Sequence, residues 1–339
     1  MTAAPAAAAT VKVAATLERT TMPAAVFRGP RTIELCSVPV PVPGRGQVRV
    51  RLEGCGVCAS NLPVWQGRPY FQYPFEPGAP GHEAWGTVDA IGPEVTTCRP
   101  GDRVALLSYH AYAHYDVASE EDMVRLPPAL AGAPFPAEPL ACAVNAFGRA
   151  HAAPGSRVAI VGIGFLGALL TCLAARAGAR VIAVSRRPFA LAIARRCGAA
   201  HTLEMADHDA VIDQVKKLTD GRGCDTVIEA VGAQWPLDLA GELTAVRGTL
   251  VVAGYHQDGL RQVNMQAWNW KGLDVINAHE RDPRLYIRGM RAAVQAAVEG
   301  VFPTGELLTH RYRLSELAQA LRDMEERPEG FLKGWIHCG

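Results

Sequence analysis

The rhythm of apolar positions changes once along the chain. From Ala24 to about Cys142, short apolar runs are broken by Pro and Gly, as in Val38–Pro43, Val48–Leu52, Ala84–Ile91 and Arg103–Leu107. Such runs between turn-forming residues predict strands in a β-rich, loop-rich unit. From Ser156 the pattern lengthens. Arg157–Val161 is a continuous apolar strand, Phe165–Ala177 a helix and Arg180–Val184 a second strand. Phe189–Cys197 and Ala210–Leu218 predict helices, while Asp225–Val231, Thr249–Ala253 and Leu273–Asn277 predict buried strands. Strands alternating with helices imply βαβ units and a parallel sheet covered on both faces. Near the end, Leu285–Glu299 and Leu314–Glu326 predict helices and Trp335–His337 a short strand. One domain interrupted by another accounts for this order.

Length supports that division, because 339 residues exceed one typical domain. A hydrophobic fraction of 49% with 20% charged residues reads as an ordinary globular protein. The formal net charge of +1 gives no reason to expect nucleic acid or an anionic membrane as partner. No apolar run has the length of a bilayer span. The nine cysteines, scattered from Cys36 to Cys338, lack the spacing of a disulfide framework and suit reduced thiols in a cytoplasm. Residues 1–21 form an Ala-rich, low-complexity tail without the basic start of a signal peptide, so folded structure is expected from Met22.

Gly162-Ile163-Gly164-Phe165-Leu166-Gly167 joins the first strand of the βαβ series to its helix. Glycines there permit a tight turn, close approach of a pyrophosphate and close helix–strand packing. The anion would rest on the amides of the helix N-terminus. In its strand–turn–helix setting the motif predicts a dinucleotide site, to which Gly232 is also assigned. A site for NAD usually has Asp or Glu at the end of the second strand, bound to the ribose 2′-hydroxyl. Here that strand ends Ser185-Arg186-Arg187. Guanidinium groups suit a 2′-phosphate, so NADP(H) is expected in preference to NAD(H).

The chemistry-bearing residues lie in the β-rich unit. His82 and Glu83 sit in Gly81-His82-Glu83-Ala84-Trp85-Gly86, with Cys58 twenty-four residues before His82 and Glu138 fifty-six after it. A thiol, an imidazole and a carboxylate at the ends of elements are donors that zinc accepts, with one position left open in a catalytic site. Cys55, three residues before Cys58, reads as packing rather than half of a redox pair. Trp65, Tyr70, Phe71, Tyr73 and Trp85 lie between or beside these segments and are candidates for either pocket wall or core.

The stretch Gly81–Gly86 followed by Gly92 and Val95, together with Gly56-Val57-Cys58-Ala59-Ser60, Gly101-Asp102-Arg103-Val104 and Glu138-Pro139-Leu140, resembles the zinc-containing medium-chain dehydrogenase/reductase superfamily. The similarity runs from about Met22 to the end and points to the alcohol and polyol branch typified by sorbitol and threonine dehydrogenases. It implies an α/β chain with a GroES-like β-rich catalytic domain, residues 22–145 and 280–339, and a Rossmann domain with a doubly wound, parallel six-stranded sheet, residues 146–279. It further implies one catalytic zinc held by Cys58, His82 and either Glu83 or Glu138, and a homodimer or homotetramer. Ser60 is then the candidate for carrying the hydroxyl proton outward. Where relatives have a four-cysteine lobe for a structural zinc, this chain has Ser108-Tyr109-His110-Ala111-Tyr112, so no second zinc is expected. Asn61 stands where Asp is usual and Pro63 where many relatives carry His. The expected activity is zinc-dependent hydride transfer between NADP(H) and a secondary alcohol or ketone, a polyol or a sugar-derived hydroxyl. Competing readings are a zinc-free quinone or enoyl reductase of the same superfamily and a non-catalytic nucleotide-binding protein.

Overall fold

The structure, a computed structural model, describes residues 20–338. Most of the expected tail lies outside the described residues, and the first strand begins at Thr21, one residue ahead of Met22. The first strands, β1 (Thr21–Gly29) and β2 (Thr32–Pro39), form an antiparallel pair. β2 stops at Pro39, so Val38–Pro43 is not the strand expected from its apolar residues. Pro41 and Pro43 have no N–H to give to a ladder.

The β-rich unit continues through β3 (Gln47–Gly56), α1 (Leu62–Gln66), β4 (Glu83–Ile91), β5 (Arg103–Leu106), β6 (Tyr115–Ser119) and β7 (Met123–Arg125). Helix α2 (Ala137–Gly148) leads into β8 (Arg157–Val161), α3 (Phe165–Arg176), β9 (Arg180–Ser185), α4 (Pro188–Arg196), β10 (His201–Glu204) and α5 (His208–Leu218). There follow β11 (Cys224–Glu229), α6 (Gln234–Leu243), β12 (Thr244–Val252), α7 (Met265–Lys271) and β13 (Asp274–Asn277). The chain ends with α8 (Pro283–Val298), α9 (Thr304–Leu307), β14 (His310–Arg313), α10 (Leu317–Glu326) and β15 (Gly334–His337).

Six parallel strands make one sheet in the order β10-β9-β8-β11-β12-β13. The order reverses between β8 and β11, the place where open α/β sheets bind ligands. A seven-stranded sheet runs β14-β15-β3-β4-β5-β7, with β6 also paired to β3. The C-terminal strands β14 and β15 therefore join the sheet that contains β3 and β4.

One strand end and one short strand differ from the apolar pattern. β11 ends at Glu229 rather than Val231, because the Glu229 carboxylate accepts from the Val231 and Gly232 amides at 2.7 Å each and turns the chain. β10 is four residues long and carries His201 and Glu204, too short and polar to stand out. It is nevertheless the strand that completes the six. The core joins the two units: Leu140 of α2, Ile160 of β8, Leu169 of α3 and Met290 of α8 are all fully buried in one cluster. Among the described residues, no helix is long and apolar enough to cross a membrane.

Candidate metal and dinucleotide site

Antiparallel register brings the metal candidates together. β3 and β4 pair so that Gly56 stands opposite Glu83, which places His82 and Glu83 beside the turn that carries Cys58 just past β3. Any side chain at position 56 would run into the Glu83 carboxylate, so glycine there leaves that carboxylate its room. Cys58 Sγ, a His82 ring nitrogen and a Glu83 carboxylate oxygen all lie within 4.8 Å of one another.

Two of the three donors are oriented by neighbours. His82 Nδ1 donates to the Pro80 carbonyl at 2.8 Å. A backbone acceptor on the far nitrogen fixes the ring for ligation through the other. Burial opposes an imidazolium at this position. The Cys58 thiol beside it, then Glu138 and Glu83, outweigh that effect and raise the His82 pKa to about 10. Crowded anionic donors around one imidazole suit a divalent cation. Glu83 is completely buried; its Oε1 accepts from Lys333 Nζ at 2.6 Å, while Oε2 is buried with no hydrogen-bond partner. An orphaned buried carboxylate oxygen is costly, and a cation would satisfy it. The sulfur, nitrogen and oxygen donors and this open valence fit zinc.

Glu138 occupies the first turn of α2 and is held differently. Its Oε1 accepts from Tyr286 Oη at 2.7 Å, and the Cys142 thiol lies 3.5 Å away. Burial raises its pKa, although His82 pulls in the opposite direction. Of the two candidate carboxylates, Glu83 therefore stands in the three-donor group and Glu138 beside it, tied to α8. Tyr286, Cys142 and Lys333 had no motif to announce them. Two signals were available: Cys142 lies four residues from Glu138 on one helix face, and Lys333 is a lone charge in the apolar run Phe331–Ile336.

Among the described residues, Asn61 makes no hydrogen bond to His82. It is buried, receives the Tyr112 hydroxyl at 2.6 Å and donates to Pro80 O at 3.4 Å, so it shares the carbonyl that orients His82. Ser60 is partly exposed in the single turn Ala59–Asn61. Trp65 and Trp85 are core residues, each 1% exposed. Cys55 is sealed in the core, and burial pushes its thiol well up, consistent with packing.

The glycine motif forms the turn between β8 and α3. Gly162 has φ +100, and a side chain at Gly167 would strike the Gly162 carbonyl. Gly164 caps α3, and a methyl group added to it would meet nothing within 4 Å, so open space lies over the helix N-terminus. Phe165 begins the helix, with Ile163 and Leu166 packed around it. Ser185 is buried at the end of β9, and Arg186 is exposed. Arg187 donates to Phe331 O at 2.5 Å and reaches Ile163 O at 3.5 Å, binding the glycine turn to the C-terminal segment. Gly232, at φ +83, lies at the end of the β11 turn. Two hydrogen bonds cross between the units close to Cys58: Tyr70 Oη donates to Gln257 O at 3.2 Å, and Gln257 Nε2 donates to Ala59 O at 3.3 Å.

Comparison with known proteins places this arrangement. A model of the alcohol dehydrogenase GroES-like domain matches residues 44–213, and a model of the zinc-binding dehydrogenase family matches residues 162–299. The chain is 26% identical over 334 residues to sorbitol dehydrogenase of Bacillus subtilis, covering 88% of this chain and 92% of that protein. It is 29% identical over 344 residues to erythritol/L-threitol dehydrogenase of Mycolicibacterium smegmatis, covering 88% and 93%. In fold it matches 2R,3R-butanediol dehydrogenase of Bacillus subtilis with a TM-score of 0.82 at 23% identity, over 93% of this chain and 99% of that one. The chain belongs to the zinc-type alcohol dehydrogenases of the medium-chain dehydrogenase/reductase superfamily, among whose alcohol and polyol dehydrogenases its relatives lie.

Proposed function

We propose that this oxidoreductase is zinc-dependent and transfers hydride between NADP(H) and a secondary alcohol or ketone, a polyol or a sugar-derived hydroxyl. The observation that carries the reading is the convergence of Cys58, His82 and Glu83 within 4.8 Å, with a buried Glu83 oxygen left without a donor. On this reading residues 22–145 and 280–339 are the catalytic domain and 146–279 the dinucleotide-binding domain, in keeping with the two large sheets. Cys58, His82 and Glu83 hold the ion, and Glu138 stands next to them on Tyr286. Zinc, when bound, supplies the Lewis acidity that makes an alcohol hydroxyl acidic or a carbonyl electrophilic.

The remaining work belongs to the chain's own groups. The glycine turn and the first amides of α3 seat the pyrophosphate, and Gly164 leaves the space for it. A bound nicotinamide would supply the hydride acceptor, leaving one hydroxyl proton to be released; Ser60, two residues past Cys58 and partly exposed, is assigned to pass that proton outward.

Preference for NADP(H) draws support from three guanidinium groups near the end of β9. Burial lowers the Arg187 pKa, and Arg327 and Arg186 lower it further; Arg327 is lowered by burial and by Arg186. None of the three has an ion-pair partner among the described residues. A 2′-phosphate would answer that charge, with exposed Arg186 as its main contact and Arg187 committed to Phe331. Assembly as a homodimer or homotetramer is also proposed, since β13 is an edge strand and Trp270 in the preceding helix is exposed. The nine free thiols suit a cytoplasmic setting.

The test pairs metal analysis with turnover. Purified protein is expected to carry one zinc per chain and to oxidise secondary alcohols or polyols with NADP. Cys58→Ala is expected to lose both metal and turnover. Full activity in zinc-free protein would overturn the reading.

A further inference from the structure

Outside the site, one pair of sulfurs stands apart from the other cysteines. Cys172 lies on α3 and Cys197 immediately follows α4, two helices that pack against each other. Their approach is close at this point: a side chain on Gly198 would come within 2.7 Å of Ala175 Cβ, so the Cys197–Gly198 corner rests on the last turn of α3. Each thiol shifts the other's pKa, as neighbouring groups do. Both also line a surface cavity of about 250 Å³, together with Arg176, Arg196 and Pro303. That volume admits a small oxidant, because a liquid water occupies only about 30 Å³. Cys55 and Cys338 form another neighbouring pair, but both are sealed in the core.

We propose that Cys172 and Cys197 form a reversible thiol–disulfide modification site, oxidised by a peroxide that enters through this cavity. The geometry supplies both an attacking and a resolving sulfur. Cys172 holds the Cys197 pKa below that of an ordinary thiol; burial and then Glu306, the ion-pair partner of Arg196, act against it, and Arg196 acts with it. Cys197 is therefore the attacking group, since the thiolate is the nucleophile.

Its sulfur attacks one peroxide oxygen; an S–O bond forms, the O–O bond breaks, and the departing hydroxide is protonated to water. The Cys172 sulfur then attacks Cys197; the S–S bond forms, the S–O bond breaks, and a second water leaves. Two thiols lose two electrons to one peroxide. A small thiol reductant reverses the change by exchange. The disulfide would tie the last turn of α3 to the end of α4, the helices whose first turns follow the glycine motif and Arg187.

The test uses the full, zinc-loaded protein treated with hydrogen peroxide, alkylated and digested with trypsin. Cys172 falls in the peptide 158–176 and Cys197 in 197–216. The expected product is this pair joined, two hydrogens lighter than its sum, with the loss of two titratable thiols and their recovery after dithiothreitol. In Cys172→Ala, or Cys172→Ser should the first not fold, dimedone is expected to label Cys197. Recovery of both peptides fully alkylated after treatment would overturn the proposal. So would capture of either sulfur only in a different pairing.

Discussion

Glu83 divides its two oxygens between unlike neighbours, one on the Lys333 ammonium at 2.6 Å and one without a donor. Lys333 is itself buried, and Glu83, then Cys58, hold its pKa above the ordinary value against the effect of burial. Removing one member of a buried ion pair strands the other. Lys333→Met, measured by urea unfolding of zinc-stripped protein, is therefore expected to lose about 3–5 kcal/mol; a loss below 1 kcal/mol (about the worth of a surface pair) would contradict it. Arg186 and Arg187 should separate as clearly. Arg186→Ala is expected to lower kcat/KM for NADPH by about tenfold or more, with little change for NADH, since a hydrogen bond to a charged group contributes about 1.5–3 kcal/mol. Arg187→Ala should weaken both cofactors, because its guanidinium holds Phe331 and the glycine turn.

The contrast with the sequence is plain at this scale. Cys58, His82 and Glu83 were legible because short-range spacing and one strand register bring them together. Lys333 comes from 250 positions away, and Tyr286 from 148 positions beyond Glu138. No local pattern encodes such contacts.

At the scale of elements, the glycine motif holds two different requirements that substitution can separate. Gly167 has the Gly162 carbonyl against it, whereas Gly164 has open space. Gly167→Ala is expected to destabilise by about 1–3 kcal/mol, seen as a lower thermal midpoint, because the turn and helix must move apart. Gly164→Ala should leave the midpoint nearly unchanged and raise KM for the dinucleotide. Equal behaviour of the two variants would refute the division. The long apolar strands β8 and β9 and helix α3 were readable because burial on both faces makes their hydrophobic runs continuous. Helix α6 was not, since Pro236 in its first turn looks like a breaker although that position tolerates proline. β10 gains its place from pairing with β9 rather than from its own side chains.

Across the whole molecule, the change of apolar rhythm and the return to mixed texture match the two large sheets, the second of which takes in the C-terminal strands. Where the two units grip each other was not legible there, because those contacts join short loops. Gln257 and Tyr70 meet across the units beside Ala59, and α2 packs against α8 in the shared core. On the proposed function, the metal would sit on one unit and the dinucleotide on the other.

The segment Phe331–Lys333 serves both. Phe331 gives its carbonyl to Arg187, which also reaches Ile163, while the Lys333 ammonium lies 5.1 Å from the centre of the Phe165 ring and bonds Glu83. A shift of the glycine turn is therefore expected to reach the Glu83 carboxylate, and the converse. Thermodynamic reciprocity then fixes a measurable equality. The factor by which NADP changes zinc affinity, measured by chelator competition, must equal the factor by which zinc changes NADP affinity. With Lys333→Met that shared factor is expected to move towards one, so that the two sites lose knowledge of each other while each still fills.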